Sequence, residues 1–317
     1  MYKFVRFWGE MDSVLSLKKI KQPAKTMHRS NRRLSFCNMS QKSENLYFEI
    51  KPKNTFSLGA RELWTYRELC FFFVWRDIKV KYKQAVLGIL WVILQPIAMM
   101  LIFTAIFSKG MNVSSDGIPY PIFALSGLLI WNIFSNGLQN AASSMVTNSN
   151  IIKKIYFPRL VIPISAVLTA LVDFLVALLL LIAVVPFFDC PFYLLKFVFY
   201  LPLSLILCLV TTLGLGTFLA AFNVKYRDFQ YILPFAIQFL LFVNPVLYSP
   251  TIFQSPTLRM LMQLNPIATS IRLLRTCFSE EILSASEILS SFSVAFFIFV
   301  VGIVVFRKTE SYFADLA

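Results

Sequence analysis

The chain has 317 residues, of which 57% are hydrophobic and 15% are charged, and its formal net charge is +14. Because soluble domains carry about 25% charged residues, this composition excludes a soluble protein and indicates a polytopic membrane protein. A basic chain can bind nucleic acid, but these cations lie in the first 60 residues and in short connections between apolar segments. Orientation in a membrane explains that placement better, and no nucleic acid partner is expected.

The first 56 residues contain twelve Lys or Arg and four Asp or Glu, with no sustained apolar period. This pattern predicts a solvated, disordered cytoplasmic tail. The apolar stretch near Phe4 is too short for the hydrophobic region of a signal peptide, so none is expected.

The next segment passes from a basic amphipathic helix to an uncharged hydrophobic one. On a helix, Phe71, Trp75, Ile78, Tyr82 and Val86 share one stripe, while the charged side chains fall elsewhere. We expect this interfacial helix to lie in the plane of the membrane surface, with its cations near anionic head groups and Lys79 snorkelling at the edge. Its candidate functional residues are Trp75, Arg76, Asp77, Ile78, Lys79 and Tyr82.

Uncharged segments then predict an all-α protein with six transmembrane helices. We place these helices near residues 86–107, 122–142, 160–185, 195–221, 229–249 and 287–306. The second is expected to end near Ala142, because polar residues become frequent around that point. Connections on one side of the membrane carry most of the cations, so both termini are predicted to be cytoplasmic.

Several sequence segments resemble ABC-2-type permeases that export lipid-linked polysaccharides, including O-antigen. They are RDIKVKYKQ at 76–84, PYPIFALSGLLIW at 119–131, NSNIIKKIYFPRLVIP at 148–163, LVDF at 171–174, YRDFQYILPFAIQ at 226–238 and ESYFAD at 310–315. The resemblance covers about residues 57–317. Related chains commonly begin near the position of Met39, so residues 1–38 are expected to be an upstream extension of this chain.

The resemblance implies a homodimer in the bacterial inner membrane, served by two copies of a separate ABC ATPase and carrying a lipid-linked glycan. Capsule and teichoic-acid exporters are near relatives, so the identity of the glycan stays open. The resemblance also implies short re-entrant helices between the fifth and sixth spans; a folded external cap is the alternative reading of that connection.

This chain is not expected to be an enzyme, because it contains no G-x-x-x-x-G-K-[ST] segment that could hold ATP phosphates. ATP and Mg²⁺ would therefore be bound by the partner ATPase. The five cysteines include no CxxC pair and the only histidine is His28, so neither a metal site nor a disulfide framework is predicted.

The connection at 148–159 mixes cations with apolar residues. By the resemblance it docks into a groove of the ATPase, and the residues to which that role carries over are Ile151, Ile152, Lys153, Lys154, Ile155, Tyr156 and Phe157. A basic loop that only fixes topology is the alternative.

Asp173 lies near the centre of the third predicted span, where an acid costs about 2.5 to 3.5 kcal/mol on insertion scales. We expect it to face the interior of the bundle. A structural hydrogen bond is favoured over a proton or substrate contact, because an ATP-driven exporter needs no proton relay in the membrane.

The fifth predicted span carries an aromatic stripe with an embedded amide: Tyr231, Phe235, Gln238, Phe239 and Phe242. Aromatic faces stack on the apolar faces of sugar rings, and an amide exchanges hydrogen bonds with hydroxyls. We therefore predict that the stripe lines the glycan channel, with Trp91 on the first span as a second wall. Packing against a neighbouring helix is the alternative.

Two other functions, secondary transport and membrane glycosyl transfer, fit the sequence less well. A secondary transporter usually carries ionisable residues in several spans and inverted repeats, whereas here Asp173 alone qualifies and no repeat is visible. A membrane glycosyltransferase would need carboxylates clustered at one face, and the acids between the predicted spans are scattered.

Overall fold

A computed structural model describes residues 60–83, 88–111, 113–155, 157–226, 228–252 and 255–310. The predicted tail at 1–56 lies outside these residues. The α-helices, in chain order, are α1 Ala60–Thr65, α2 Arg67–Lys83, α3 Gly88–Phe103, α4 Tyr120–Thr147, α5 Ser149–Ile152, α6 Val161–Val184, α7 Leu194–Lys225, α8 Phe229–Val243, α9 Pro256–Leu264, α10 Pro266–Arg275 and α11 Ala285–Thr309. A π-helical turn, Thr104–Gly110, extends α3. The described part of the chain contains helices and no strands, as the composition predicts.

Within the described residues, five helices are long and apolar enough to cross a membrane: the segments Leu90–Ser108, Tyr120–Thr147, Val161–Phe188, Leu194–Lys225 and Ala285–Thr309. The expected fifth span is shorter. Helix α8 has 15 residues, which is about 22 Å of rise against a hydrocarbon core of about 30 Å. It ends at Val243 because Asn244 adopts an extended backbone before Pro245. The predicted helix at 229–249 is therefore six residues too long, and the count of six spans stays a prediction.

The second span is longer than predicted. Helix α4 continues past Ala142 to Thr147, because its polar residues are accommodated within the helix. Hydroxyls of Ser143, Ser144 and Thr147 donate to backbone carbonyls one turn earlier, which satisfies them without breaking the helix. The helix stops at Asn148, whose side-chain amide donates to the carbonyl of Ser144 at 2.9 Å.

Helix α4 is the centre of the bundle and packs against α6, α7 and α10, while α11 packs on the other side of α7. Small residues allow the close approaches. A Cβ placed on Gly216 would lie 2.7 Å from the Cβ of Ala141, and one placed on Gly214 would lie 2.7 Å from the Cα of Phe299. Membrane helices pack through such positions because lipid gives no hydrophobic drive for their association.

The connection between α8 and α11 contains two short helices, α9 and α10, joined at Asn265. The Asn265 side chain caps α10 by accepting from the backbone N–H of Ile267 at 3.0 Å. Helix α10 is buried against α4, α7 and α11. Two helices folded back among the spans are what a re-entrant pair requires, and their depth in the bilayer stays a prediction.

Arg275, at the end of α10, is buried inside the bundle. Its guanidinium donates to the carbonyls of Pro245 at 2.8 Å, Val246 at 2.6 Å and Phe123 at 3.0 Å. Two of these carbonyls follow the early end of α8, where no continuing helix can bond them. One charged side chain thus satisfies the broken end of α8 and ties it to α4 and α10.

The crossing of α7 and α11 can be tested with a single methyl group. In Gly302→Ala the new Cβ would overlap the carbonyl oxygen of Gly214 and lie 2.8 Å from the Oγ1 of Thr217. We expect a loss of about 1 to 3 kcal/mol of stability, because the two helices must separate. Thermal unfolding of the purified protein in detergent measures the change.

Gly110→Ala is the matched control, because the nearest atom to its new Cβ is 3.7 Å away. Alanine favours a helix by about 0.8 to 1.0 kcal/mol over glycine, so this variant should be neutral or stabilised. Equal behaviour of the two variants would contradict the close crossing at Gly302.

Candidate coupling and translocation site

The predicted docking segment lies at the end of the bundle that also holds the end of α11, since Arg159 donates to the carbonyl of Glu310. We call the end of the bundle that holds Lys153, Lys154, Arg159 and Arg307 the basic end. Within the segment, Lys153, Lys154 and Ile155 are exposed, and Ile155 has 60% of its surface free. Ile151 and Ile152, on the one-turn helix α5, are half-buried against a hydrophobic cluster below them. Tyr156 lies outside the described residues.

Phe157 does not fit the predicted docking role. It is only 5% exposed, and its ring centroid lies 5.8 Å from that of Phe73 on α2. An aromatic side chain at a loop end gains more by packing into the nearest hydrophobic cluster than by facing solvent. The exposed part of the segment is thus Lys153, Lys154 and Ile155, while Phe157 anchors the segment to α2.

Helix α2 also contacts the other end of this segment. The Arg76 guanidinium donates to the side-chain oxygen of Asn148 at 2.8 Å and forms an ion pair with Asp77 at 2.7 Å. Asn148 is the residue at which α4 turns into the docking segment. Helix α2 therefore contacts both ends of the segment, through Phe73 and through Arg76.

Asp173 is held by α2 as well. The Lys81 ammonium and the Tyr82 hydroxyl both donate to its carboxylate. Burial, followed by the hydrogen bond and the negative charge of Asp173, raises the pKa of Tyr82 above its ordinary value, so the phenol remains a donor. The arrangement fits the predicted structural role, in which this acid is bonded inside the bundle rather than facing lipid.

These contacts place α2 differently from the expected position at the membrane surface. Asp173 is twelve residues into α6, about 18 Å from its start, so α2 packs along the first half of α6 instead of lying across the ends of the spans. Arg76 and Lys81, which were expected to meet lipid head groups, bond to protein groups. Lys79 and Trp75 are exposed and Ile78 is half-buried, which leaves part of the expected apolar stripe free for lipid.

The aromatic stripe lies on α8, and all five of its members are exposed in the protomer. Phe235 is 73% exposed and Tyr231 is 82% exposed. Within the described part of the protomer no helix covers these rings, so the alternative of packing against a neighbouring helix would need a helix of another copy. A lipid, a second copy of the chain or a substrate remains to cover them.

Trp91 is placed away from this stripe. It lines a small cavity together with Lys81, Gln95, Asn132, Asn136 and Asp173. Within the protomer Trp91 lies beside the ion pair of α2 and α6, and its place in the channel wall stays a prediction.

Comparison with known proteins identifies the family. Residues 68–279 match the family described as "ABC-2 type transporter". The chain belongs to this family. The match confirms the resemblance carried by the sequence segments, and ABC-2 permeases are membrane-embedded subunits that work with an ABC ATPase.

Individual relatives agree with the family. The chain is 33% identical, over 72% of its length and 86% of the relative, to the "O-antigen export system permease protein RfbA" of Myxococcus xanthus. It is 29% identical to the protein of the same name from Klebsiella pneumoniae, over 76% of this chain and 92% of that one. The "Polysialic acid transport protein KpsM" of Escherichia coli is 26% identical, over 55% of this chain and 67% of its own.

Sequence reasoning did not find the partners that bind the key polar residues of this ABC-2 permease. Lys81 and Asp173 are 92 positions apart, and Arg76 and Asn148 are 72 apart. An unexplained acid in a span is a signal that some donor must exist, but it does not say which one. The packing of α2 along α6 determines that Lys81 and Tyr82 are the donors.

The contact of Asp173 with Lys81 can be tested in this ABC-2 permease by removing the partners singly and together. Asp173→Leu leaves both donors of α2 without an acceptor and should cost about 1 to 3 kcal/mol for each group that stays buried. The double variant Lys81→Met with Asp173→Leu should recover part of this loss, because the pair is then removed as a unit. Thermal unfolding in detergent provides the measurement.

Asp173→Asn keeps the shape and an oxygen acceptor, so transport activity should survive in that variant. Tyr82→Phe isolates the contribution of the phenol. Complete loss of activity in Asp173→Asn, at normal expression and stability, would show that the carboxylate belongs to the transport mechanism.

Proposed function

We propose that this chain is the permease subunit of an ATP-driven exporter that moves a lipid-linked polysaccharide from the cytoplasmic to the outer face of the bacterial inner membrane. The observation that carries the proposal is the similarity to two relatives whose names specify O-antigen export, over more than two thirds of this chain. Both termini are cytoplasmic, and the basic end of the bundle faces the ATPase.

In this proposal the ATPase supplies all of the nucleotide chemistry. ATP and Mg²⁺ bind there, and the permease receives the motion through its exposed docking surface, Lys153, Lys154 and Ile155. From that surface the motion passes to α2 by two contacts described above, Phe157 with Phe73 and Asn148 with Arg76. Among the residues assigned to coupling, Lys153, Lys154 and Ile155 thus contact the ATPase, and Phe157 passes the motion to α2.

Two copies of the chain form the complex. A single protomer leaves large apolar side chains of α8 and of α3 exposed on faces that its own helices do not cover. A second copy can cover part of these faces and enclose a path between them. The aromatic rings of α8 then offer stacking surfaces to passing sugars, and Gln238 offers an amide.

Export of an anionic capsule is the second candidate, and the similarity to KpsM favours it. That similarity covers about half of this chain, at lower identity than the similarity to the O-antigen permeases. A secondary transporter is disfavoured, because Asp173 is already bonded to two donors and is poorly placed to carry protons.

The test removes the gene and restores it with a variant of the docking surface. Deletion should abolish a long-chain surface polysaccharide, and the wild-type chain should restore it. Ile155→Asp should not, because the new carboxylate cannot be buried against an apolar groove without a large desolvation cost. Co-purification of the ATPase with this variant should fall at least about tenfold, which is about 1.4 kcal/mol.

Ile282→Asp is the matched control: this isoleucine is 71% exposed in the connection before α11, at the opposite end of the bundle. It should restore polysaccharide and retain the ATPase. If deletion removes no polysaccharide, the proposed function is wrong; if Ile155→Asp retains the ATPase, only the docking surface is wrong.

The aromatic stripe generates a separate prediction. Replacing Phe235, Phe239 and Phe242 with Ala, singly and together, should lower surface polysaccharide progressively while the ATPase still co-purifies. Phe296→Ala and Phe297→Ala on α11, where both rings are exposed, make the same change on another span and should have no effect. Failure of the triple variant to assemble would mean that the rings pack between the two copies.

A further inference from the structure

The face of α4 that its neighbours leave uncovered is polar. This helix is otherwise the most buried span of the bundle, yet Asn136, Gln139 and Asn140 are exposed and Asn132 is half-exposed. The side-chain amides of these four residues make no hydrogen bond with any residue that the structure describes. We call Asn132, Asn136, Gln139 and Asn140 the amide stripe.

Lipid is a poor neighbour for the amide stripe. A primary amide carries two donors and two acceptor sites, and hydrocarbon satisfies none of them, so burial in the bilayer is costly. Serines of the same helix avoid this cost by bonding to backbone carbonyls, which the four amides do not do. The stripe therefore faces water, another polar chain or a polar ligand.

Two cavities extend the stripe into a groove. The first, of about 270 Å³, is lined by Arg76, Asp77, Lys81, Asn140, Ser143 and Thr147, among others. The second, of about 90 Å³, is lined by Lys81, Trp91, Gln95, Asn132, Asn136 and Asp173, among others. Lys81 lines both cavities, so they adjoin. From Thr147 to Asn132 the groove follows α4 for about 22 Å, starting at the basic end.

The charges along the groove cancel. Among the described lining residues of the two cavities there are two cations and two acids. Arg76 pairs with Asp77 at 2.7 Å, and Lys81 pairs with Asp173. A polyanionic chain would find no cation free of a carboxylate, and it would lie beside two negative charges. Sites that recognise phosphate or carboxylate groups instead present uncompensated Arg or Lys.

The remaining groups suit neutral hydroxyls. Amides and hydroxyls both donate and accept, so they can exchange hydrogen bonds with a polyol in many registers. Trp91, which is 56% exposed, adds an aromatic face on which a sugar ring can stack. Among these lining groups, none demands a formal charge on the ligand.

We infer that the groove along α4 binds the exported chain and that this chain is an uncharged polysaccharide. The inference rests on the proposed function and deepens it, because it chooses a neutral glycan over the acidic capsule that was left as the second candidate. It also adds the amide stripe to the residues that contact sugar, beside Trp91 and the aromatic rings of α8.

The charge of the glycan is tested directly. The surface polysaccharide that disappears on deletion of the gene is purified from wild-type cells, and its sugars and phosphate are analysed. We expect neutral sugars with no uronic acid, sialic acid or phosphodiester in the repeat. An acidic repeat overturns the inference, whereas absence of any lost polysaccharide overturns the proposed function itself.

The site is tested by photo-crosslinking in cells that export the polysaccharide, with the complete complex in the membrane. A benzophenone amino acid replaces Asn136 or Asn140, and Ser293 on the exposed face of α11 is the control position. We expect a crosslinked ladder that stains for carbohydrate at the two α4 positions and not at Ser293. A crosslink to a second copy of the chain at Asn136 and Asn140, without carbohydrate, overturns the inference by making the stripe a dimer contact.

Substitution adds a quantitative measurement. Asn136→Leu with Asn140→Leu keeps the approximate size and removes hydrogen bonding, and surface polysaccharide should fall at least tenfold. Asn136→Gln with Asn140→Gln restores the amides and should recover most of the export, while Ser293→Leu should leave it unchanged. Normal export by the Leu pair, in a complex that retains its ATPase, also overturns the inference.

Discussion

Hydrocarbon offers no hydrogen bond, so every polar group in a spanning segment must find its partner inside the protein or in water. Most buried polar groups of the described residues follow this constraint, although the Asn223 side-chain oxygen and the Arg275 Nε have no partner. Arg275 bonds three carbonyls where α8 ends early, and Asp173 receives two donors from α2. The Asn223 amide donates to the Ala142 carbonyl at 2.9 Å and ties α7 to α4. The amide stripe stands out because it does not follow this pattern.

The same polar contacts join the parts that an ATP-driven permease must move together. Helix α2 touches the docking segment through Phe73 and Arg76 and touches the middle of α6 through Lys81 and Tyr82. Helix α2 thus links the basic end to a point about 18 Å deeper in the bundle. Small residues at the crossings of α4, α7 and α11 let these helices pack closely as one block.

The path proposed for the glycan combines two kinds of surface. The rings of α8 provide stacking without hydrogen-bond specificity, and the amide stripe provides exchangeable hydrogen bonds without charge. A chain of neutral sugars can slide over both, because neither surface binds a particular group tightly. The paired charges at Arg76 and Lys81 serve the structure of the groove, so the same residues hold α2 in place and keep the path free of net charge.

The sequence alone determined the class of the protein, its all-α fold and its family, because long uncharged segments and contiguous motifs are local properties. It also determined that Asp173 needs a partner. The predicted ends of α4 and α8 were misplaced for local reasons: side-chain bonds to the backbone prolong α4, and Pro245 ends α8 before its apolar residues do. Only the tertiary structure decided that Phe157 is buried, that Lys81 and Tyr82 bind Asp173, and which polar residues of α4 stay uncovered. Each of these depends on contacts between residues far apart in the chain, and no local pattern encodes such a distance.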